Sequence, residues 1–486
     1  MRLIRSRTRT VAATAARLVT PLLLMSGLVA AALAGASGSG AAEHRAATDQ
    51  AATAAPGPAM PVPPNFDVSQ RPGNEAENTI AANPTNPQNV AAMTCPVGNN
   101  DGLFLGVSFD GGRTWKRRLF ATGAQIGHTC DERLAWDRYG NLWMSHLTAK
   151  GDVFVGLSTD GGLHFAKVTD IMPTGPFPTG NAADQPFITT GRGSVWVSYA
   201  STPSGVVQAA GARVSGRGRV GPFSPPQSIP TRHGHGDASG TAIGPHGQVL
   251  VIYENIASPR RSRIYTALDP DGLGPRGFGR PRQLARTRVK FPDFIPAQPD
   301  RGIDAEPKLV WDTGPGPYHG RLYAVWTQAA RRNRDNLNVM FQHSDNSGRT
   351  WTKAVLLNDP QTAGSQFFQS IALDPATGAV VAGWYDCRNA HGQGGHGCAR
   401  PDTYTQFWAT YSTDGGRRFA PDFRVSQGTS NAKDTHSFFD YGDYTQVAFQ
   451  SHLFYPAWSD NSDSTGTNPD GKLHQVDLYT ARMHIP

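Results

Sequence analysis

The stretch Ser108-Phe109-Asp110-Gly111-Gly112-Arg113-Thr114-Trp115 decides how this chain folds. A hydroxyl, a carboxylate two residues on, glycine and a closing aromatic specify a tight turn. The carboxylate accepts backbone N–H groups, glycine takes positive φ, and the ring packs under the hairpin. The pattern returns three more times, as Ser158-Thr-Asp160-Gly-Gly162-Leu-His-Phe165, Ser344-Asp-Asn346-Ser-Gly348-Arg-Thr350-Trp351 and Ser412-Thr-Asp414-Gly-Gly416-Arg-Arg-Phe419. Four copies of this fidelity mark a repeated hairpin rather than an isolated loop.

A second pattern surrounds the first: an apolar strand, a Gly or Asn/Asp turn, and another apolar strand. It occurs at 79–93, 133–146, 186–199, 240–253, 308–326, 370–384 and 445–458. The equivalent positions Ile80, Leu134, Ile188, Ala242, Leu309, Ile371 and Val447 are 54, 54, 54, 67, 62 and 76 residues apart. Such periods, with insertions, fit four-stranded antiparallel blades around a channel. With 54 glycines and 37 prolines and almost no helical periodicity, the chain reads as all-β. Seven copies predict a seven-bladed β-propeller, with six blades as the alternative. Phe66-Asp67-Val68-Ser69 mimics Phe423-Arg424-Val425-Ser426, and the seventh copy has no such strand before Pro486. An N-terminal strand is therefore predicted to complete the last blade and close the ring.

The S-x-D-x-G-x-T-W pattern is the Asp box, and it resembles the bacterial neuraminidase repeat of the sialidase superfamily. The resemblance covers nearly all of the chain after the N-terminal segment. It implies a glycan-cleaving propeller, with an arginine triad on a substrate carboxylate, an Asp acid/base and a Tyr nucleophile assisted by Glu. The Arg-Ile-Pro that opens the first blade in that family is Glu77-Asn-Thr-Ile80-Ala here. By position alone, Arg133, Arg301 and Arg388 would supply the clamp, and Tyr253-Glu254 the nucleophile pair.

The N-terminus carries Arg2, Arg5, Arg7, Arg9 and Arg17 without an acid, then an apolar run ending in Ala32-Leu33-Ala34. This is read as a signal peptide over residues 1–34, cleaved near Ala34, followed by a disordered Ala/Pro/Gly-rich leader over 35–64 and one propeller domain over 65–486. Removing five arginines lowers the formal net charge from +7 to +2, which speaks against a nucleic-acid partner. The Arg276–Lys290 stretch, with arginines at 276, 280, 282, 286 and 288, reads as a solvated edge strand and loop. No lipid-anchor cysteine follows the apolar run, and a secreted monomer is expected. Four cysteines in an oxidising context predict the pairs Cys95–Cys130 and Cys387–Cys398, without metal or other cofactor.

In such a blade, the start of the first strand and the end of the second share one face, opposite the Asp boxes. Candidate catalytic carboxylates on that face are Asp131, Asp184, Asp237, Glu254, Glu306, Asp440 and Asp443. Candidate substrate contacts are Arg133, Tyr253, Arg301, Arg388, His146, His235 and Tyr444. The aromatics Tyr199, Tyr253, Trp326, Trp384 and Trp458 share core parity, so they are read as inter-blade packing rather than sugar platforms. The leading expectation is a sialidase-like glycoside hydrolase acting on extracellular carbohydrate. The alternatives are a uronate lyase using His146, His235 or Tyr444 as base, and a non-catalytic glycan- or protein-binding propeller.

Overall fold

The computed structural model describes residues 52–53 and 60–486, apart from 98–101, 121–129, 175–180, 231–235, 257–261, 290, 331–335, 361–363, 390–402 and 436. The segment read as signal peptide and most of the leader lie outside the described residues. Within the leader, Ala52–Thr53 pairs in parallel with Arg418 and Phe419.

Seven antiparallel sheets follow one another along the chain. Blade 1 comprises Asn74–Ala82, Val90–Val97, Leu103–Ser108 and Lys116–Phe120; blade 2 comprises Arg133–Trp136, Leu142–Leu147, Val153–Ser158 and Ala166–Ile171. Blade 3 comprises Ala182–Gly191, Ser194–Thr202, Val206–Gly216 and Gln227–Ser228; blade 4 comprises Gly236–Ile243, Val249–Asn255, Arg263–Asp269 and Arg282–Arg286. Blade 5 comprises Lys308–Trp311, Leu322–Ala329, Leu337–Ser344 and Val355–Leu356; blade 6 comprises Gln366–Leu373, Val380–Asp386, Gln406–Ser412 and Phe423–Arg424. Blade 7 comprises Gln446–Gln450, Leu453–Asp460 and Asp477–Ala481, and its outermost strand is Asn65–Asp67 from the other end of the chain. The first strand of each blade touches the first strands of its neighbours, and that of blade 7 touches that of blade 1. Seven blades, not six, make the ring. No helix among the described residues is long and apolar enough to cross a membrane.

Seven apolar clusters hold the ring, one for each junction between neighbouring blades. Tyr199, Tyr253, Trp326, Trp384 and Trp458 are all buried in these clusters, as their strand parity predicts. Trp384 and Trp458 each donate the indole N–H to the carboxylate two residues on, Asp386 and Asp460, at 2.9 Å.

The Asp boxes work as the sequence predicts. Ser108 Oγ accepts the Gly112 N–H at 2.8 Å, and Asp110 Oδ1 accepts those of Arg113 and Thr114 at 3.0 and 2.9 Å. A small burial cost is outweighed by bonds from Thr114 and Ser108, which hold Asp110 down to about 2. Blade 4 has no S-x-D-x-G, yet Asp269 accepts the N–H groups of Asp271 and Gly272 at 3.2 and 2.9 Å, so Asp-Pro-Asp-Gly does the same job. Ser108→Ala leaves the Gly112 N–H buried and unpaired, and is expected to cost about 1–2 kcal/mol in urea unfolding. An unchanged midpoint would mean the turn does not depend on that hydroxyl.

The ring closes on three buried carboxyls: Asp67 of the N-terminal strand, Glu75 of blade 1 and Asp477 of blade 7. Burial, then the charges of Glu75 and Asp67, pushes Asp477 up to about 11; both are also its side-chain hydrogen-bond partners. At neutral pH Asp477 is thus a protonated donor between two acceptors. Its folded pKa is raised, so its contribution is full below the ordinary carboxyl range and is lost as pH rises toward 11. Asp477→Asn keeps a donor that cannot ionise. It is expected to gain on the parent progressively as pH rises above the ordinary carboxyl range and to melt several degrees higher at pH 9, and a lower melting point at pH 9 would contradict the shared-proton closure.

Candidate functional site

Six of the seven inner strands begin with a kink. The register slips between Ala76 and Thr79, Asp184 and Phe187, Ala238 and Gly240, and Phe367 and Ser370. At the equivalent place, three residues before the core position, the left-handed φ values are 63° at Glu77, 58° at Asp131, 46° at Gln185, 38° at Glu306 and 49° at Phe368. None is glycine, and each such residue costs about 1–2 kcal/mol of backbone strain. The bulge turns side chains out of the strand alternation and toward the channel mouth. Glu77 sits in such a bulge, and Asp131 and Glu306 take the same left-handed turn just before their strands.

The second device is a two-stranded hairpin, Asp293–Ile295 with Gln298–Ile303, inserted before blade 5. Asp440 Oδ2 accepts the N–H groups of Asp300 and Arg301 at 2.8 and 2.9 Å, while Gln298 donates to the Gly442 carbonyl at 2.6 Å and accepts the Tyr441 N–H at 3.2 Å. So clamped, Arg301 forks onto Asp443, its Nε donating to Oδ1 at 2.7 Å and its second arm to Oδ2, and lies 3.8 Å from Glu77 Oε1. The Phe439 ring lies 4.4 Å from the guanidinium. Phe294 and Phe438 on the same two segments are exposed.

Electrostatics ties these groups into one array. Burial, then the charges of Asp131 and Asp443, lifts Glu77 well above the carboxylate range against the opposing pull of Arg301. Asp184 is half-buried; burial, then Asp131 and Asp443, pushes its carboxyl up to about 7, and Asp131 is also its side-chain hydrogen-bond partner. Asp131 in turn accepts the Gln185 N–H at 3.0 Å. Asp237 and Asp304 are pushed well above their range by burial and by Glu306 and Glu254 among their neighbours. Burial lifts Glu254, which accepts the Ala305 N–H at 2.8 Å, to about 7. Glu306 is raised by burial against its ion pair with Lys308, and the Lys308 ammonium is lowered by the same burial. Asp443 acts on Glu77, Asp184, Asp237, Asp304 and Glu306 alike, which places it among them.

Below the acids, Arg133 stacks on Tyr444 at 3.2 Å, with Phe187 and Lys308 beside it. Arg133 and Lys308 line the central channel, a cavity of about 540 Å³ that draws residues from every inner strand and none of the acids.

The structure therefore brings together Asp131, Asp184, Asp237, Glu254, Glu306, Asp443 and Arg301, with Arg133 and Tyr444 underneath. Other expected site residues stand elsewhere. Asp440 anchors the hairpin. His146 is buried, stacked on Phe154 at 4.7 Å, and burial lowers it to about 4. Tyr253 is fully buried and stacked on Tyr265 at 5.6 Å, on the opposite side of its strand from Glu254, so the two form no nucleophile pair. Arg388 pairs with Asp386 at 2.7 Å and with Asp422, and covers Trp408, all in blade 6. Arg301 and Arg133 adjoin the array while Arg388 stands apart in blade 6, so the three do not form one clamp. His235 lies outside the described residues. Cys95 and Cys130 form the expected disulfide, joining blades 1 and 2, whereas the Cys387–Cys398 pair falls outside because Cys398 is not described. Among the described residues, no group of three or more His, Cys, Asp or Glu is arranged to hold a metal ion.

Sequence position found the acids but did not single out Glu77, Asp304, Lys308 or the hairpin aromatics as site residues. Glu77 and Asp304 were legible as strand-start acids; nothing in the sequence announced the hairpin.

No protein-family model matches the chain, and no curated protein matches it by sequence. Among solved structures it is similar to the BP39L lectin from Burkholderia pseudomallei, with a TM-score of 0.52 and 12% identity over 86% of this chain and 97% of that one. It is also similar to the phage phi92 endosialidase, with a TM-score of 0.48 and 11% identity over 87% and 69% of the two chains. A third is the Hadza microbial sialidase Hz136, with a TM-score of 0.45 and 14% identity over 82% and 73%. At that identity the likeness to the lectin is one of fold, and it is the fold that the Asp boxes led us to expect.

Proposed function

We propose that this protein is a glycoside hydrolase acting on an extracellular glycan at the channel mouth, with Asp184 as the proton donor. One observation carries the reading: the half-buried Asp184 carboxyl, pushed up to about 7, stands beside Asp131 within reach of the Asp443 charge. A general acid needs a pKa near the working pH and access to the leaving-group oxygen, and Asp184 offers both. Asp443, fixed by Arg301, is the second carboxylate, and Asp131 tunes the donor. The exposed rings of Phe294 and Phe438 offer faces for a sugar to stack on. The apolar N-terminal run and the Cys95–Cys130 bond support export to an oxidising compartment.

A sialidase-type clamp finds little support, since Arg133, Arg301 and Arg388 do not converge. For the lyase reading, burial pushes the Tyr444 hydroxyl well above its usual range and His146 sits in the core, which leaves His235, outside the described residues, as its base. The test is incubation with sialosides, arabinan, plant gums and uronate polysaccharides. We expect new reducing ends without the absorbance of an unsaturated product. Unsaturated product would establish a lyase, and binding without turnover a lectin-like propeller.

A further inference from the structure

A groove of about 560 Å³ runs between blades 4 and 5, bordered by the blade 5 Asp box at Ser347, Gly348 and Arg349. Its lining carries four arginines, at 276, 280, 282 and 349, with no acidic and no aromatic side chain. Arg276 is paired with Asp271 at 3.0 Å, whereas Arg280, Arg282 and Arg349 are exposed and have no side-chain partner among the described residues.

Protection of an open sheet edge explains part of this. Arg282 lies on the outermost strand of blade 4, where cations discourage pairing with another chain. It does not explain Arg349, which comes from a turn of the next blade. The comparison with the other boxes is informative: at the same position Arg113 donates to the Asp110 carbonyl at 2.6 Å, and Arg417 lies over the Tyr318 ring at 5.7 Å. Arg349 alone of the three faces the groove. Arg263 stands directly opposite Arg286 at the far end of the same strand pair, a like-charge pairing that weakens a sheet, but neither lines the groove.

We propose that this groove binds an anionic polysaccharide, its sulfate or carboxylate groups held by Arg280, Arg282 and Arg349. Guanidinium forks match such groups in a two-pronged geometry that lysine cannot provide. The absence of any aromatic side chain in the lining favours a sugar polymer over a single-stranded nucleic acid, which relies on base stacking. The groove belongs to the Asp-box side, away from the acid array, so it would anchor the polymer and not cleave it.

The test is calorimetric titration of the intact protein with a heparin hexasaccharide at low salt. The triple variant Arg280→Ala/Arg282→Ala/Arg349→Ala is expected to bind about tenfold or more weakly, with a shallower salt dependence. The control variant Arg213→Ala/Arg219→Ala/Arg418→Ala removes the same charge from exposed sites elsewhere and should bind like the parent. Equal losses in both variants, or no binding by the parent, would overturn the proposal. So would tighter binding of a single-stranded oligonucleotide of equal charge. Unchanged melting temperatures in both variants separate a lost contact from a lost fold.

Discussion

Asp184→Asn is expected to lower kcat on the cleaved glycan by about 10²–10⁴-fold, the usual worth of a positioned proton donor, while KM changes little. The amide occupies the same volume and can still donate a hydrogen bond, but it cannot deliver a proton to a leaving alkoxide. The parent's pH dependence carries the same signature. Asp184 must be protonated to act, and burial with Asp131 and Asp443 holds its carboxyl at about 7. Activity should therefore be full below that value and fall about tenfold per pH unit above it. The midpoint reports the Asp184 carboxyl, which is hydrogen-bonded to Asp131. Asp131→Asn removes the neighbouring negative charge, so the alkaline limb should move to lower pH. A shift to higher pH would show that Asp131 does not tune the donor. Asp440→Ala should also reduce turnover, through loss of the hairpin clamp that aims Arg301.

Deleting residues up to Pro72 is expected to lower the melting temperature by roughly 10 °C or more, or to leave no soluble protein. The segment ties three blades together. Asn65 donates to the Val425 carbonyl of the chain between blades 6 and 7 at 2.9 Å; Val68 donates to Leu478 of blade 7 at 2.8 Å; and Arg117 of blade 1 donates to the Val68 carbonyl at 2.7 Å. The Leu478 N–H in turn bonds Ser69 Oγ at 3.0 Å. Val68 is fully buried in the cluster with Phe104, Trp115 and Tyr455. Removal opens a hole there, orphans three buried backbone groups and bares the outer edge of blade 7. Val68→Ala isolates the packing share and should cost about 2 kcal/mol. A deletion variant that melts like the parent would mean that the ring is held without this strand.

The blades were legible because each one repeats the same local chemistry. Strand alternation, Asp-box turns and a recurring period are properties of neighbours in sequence, as is the match between Phe66–Ser69 and Phe423–Ser426. The rim was only half legible. Sequence position could say that Asp131, Asp184, Asp237, Glu254 and Asp443 face the channel mouth, because strand direction decides it. It could not say that the kinks at Glu77, Asp131 and Glu306 take left-handed φ, since no glycine marks them. It could not foresee the 293–303 hairpin, which brings Arg301 to Asp443 across 142 residues. The arginine clamp failed for the same reason: Arg388 found its counter-ions Asp386 and Asp422 within its own blade. Tyr253 was assigned to the site by its neighbour Glu254, although adjacent strand residues point to opposite faces.

The most direct measurement is a crystal structure of the Asp184→Asn variant with an oligosaccharide that the parent cleaves. The expected result places the glycosidic oxygen about 2.6–3.2 Å from the side chain at position 184, with Asp443 and Arg301 beside the same sugar. A glycan bound elsewhere on the propeller, with position 184 out of reach of the scissile bond, would contradict the assignment.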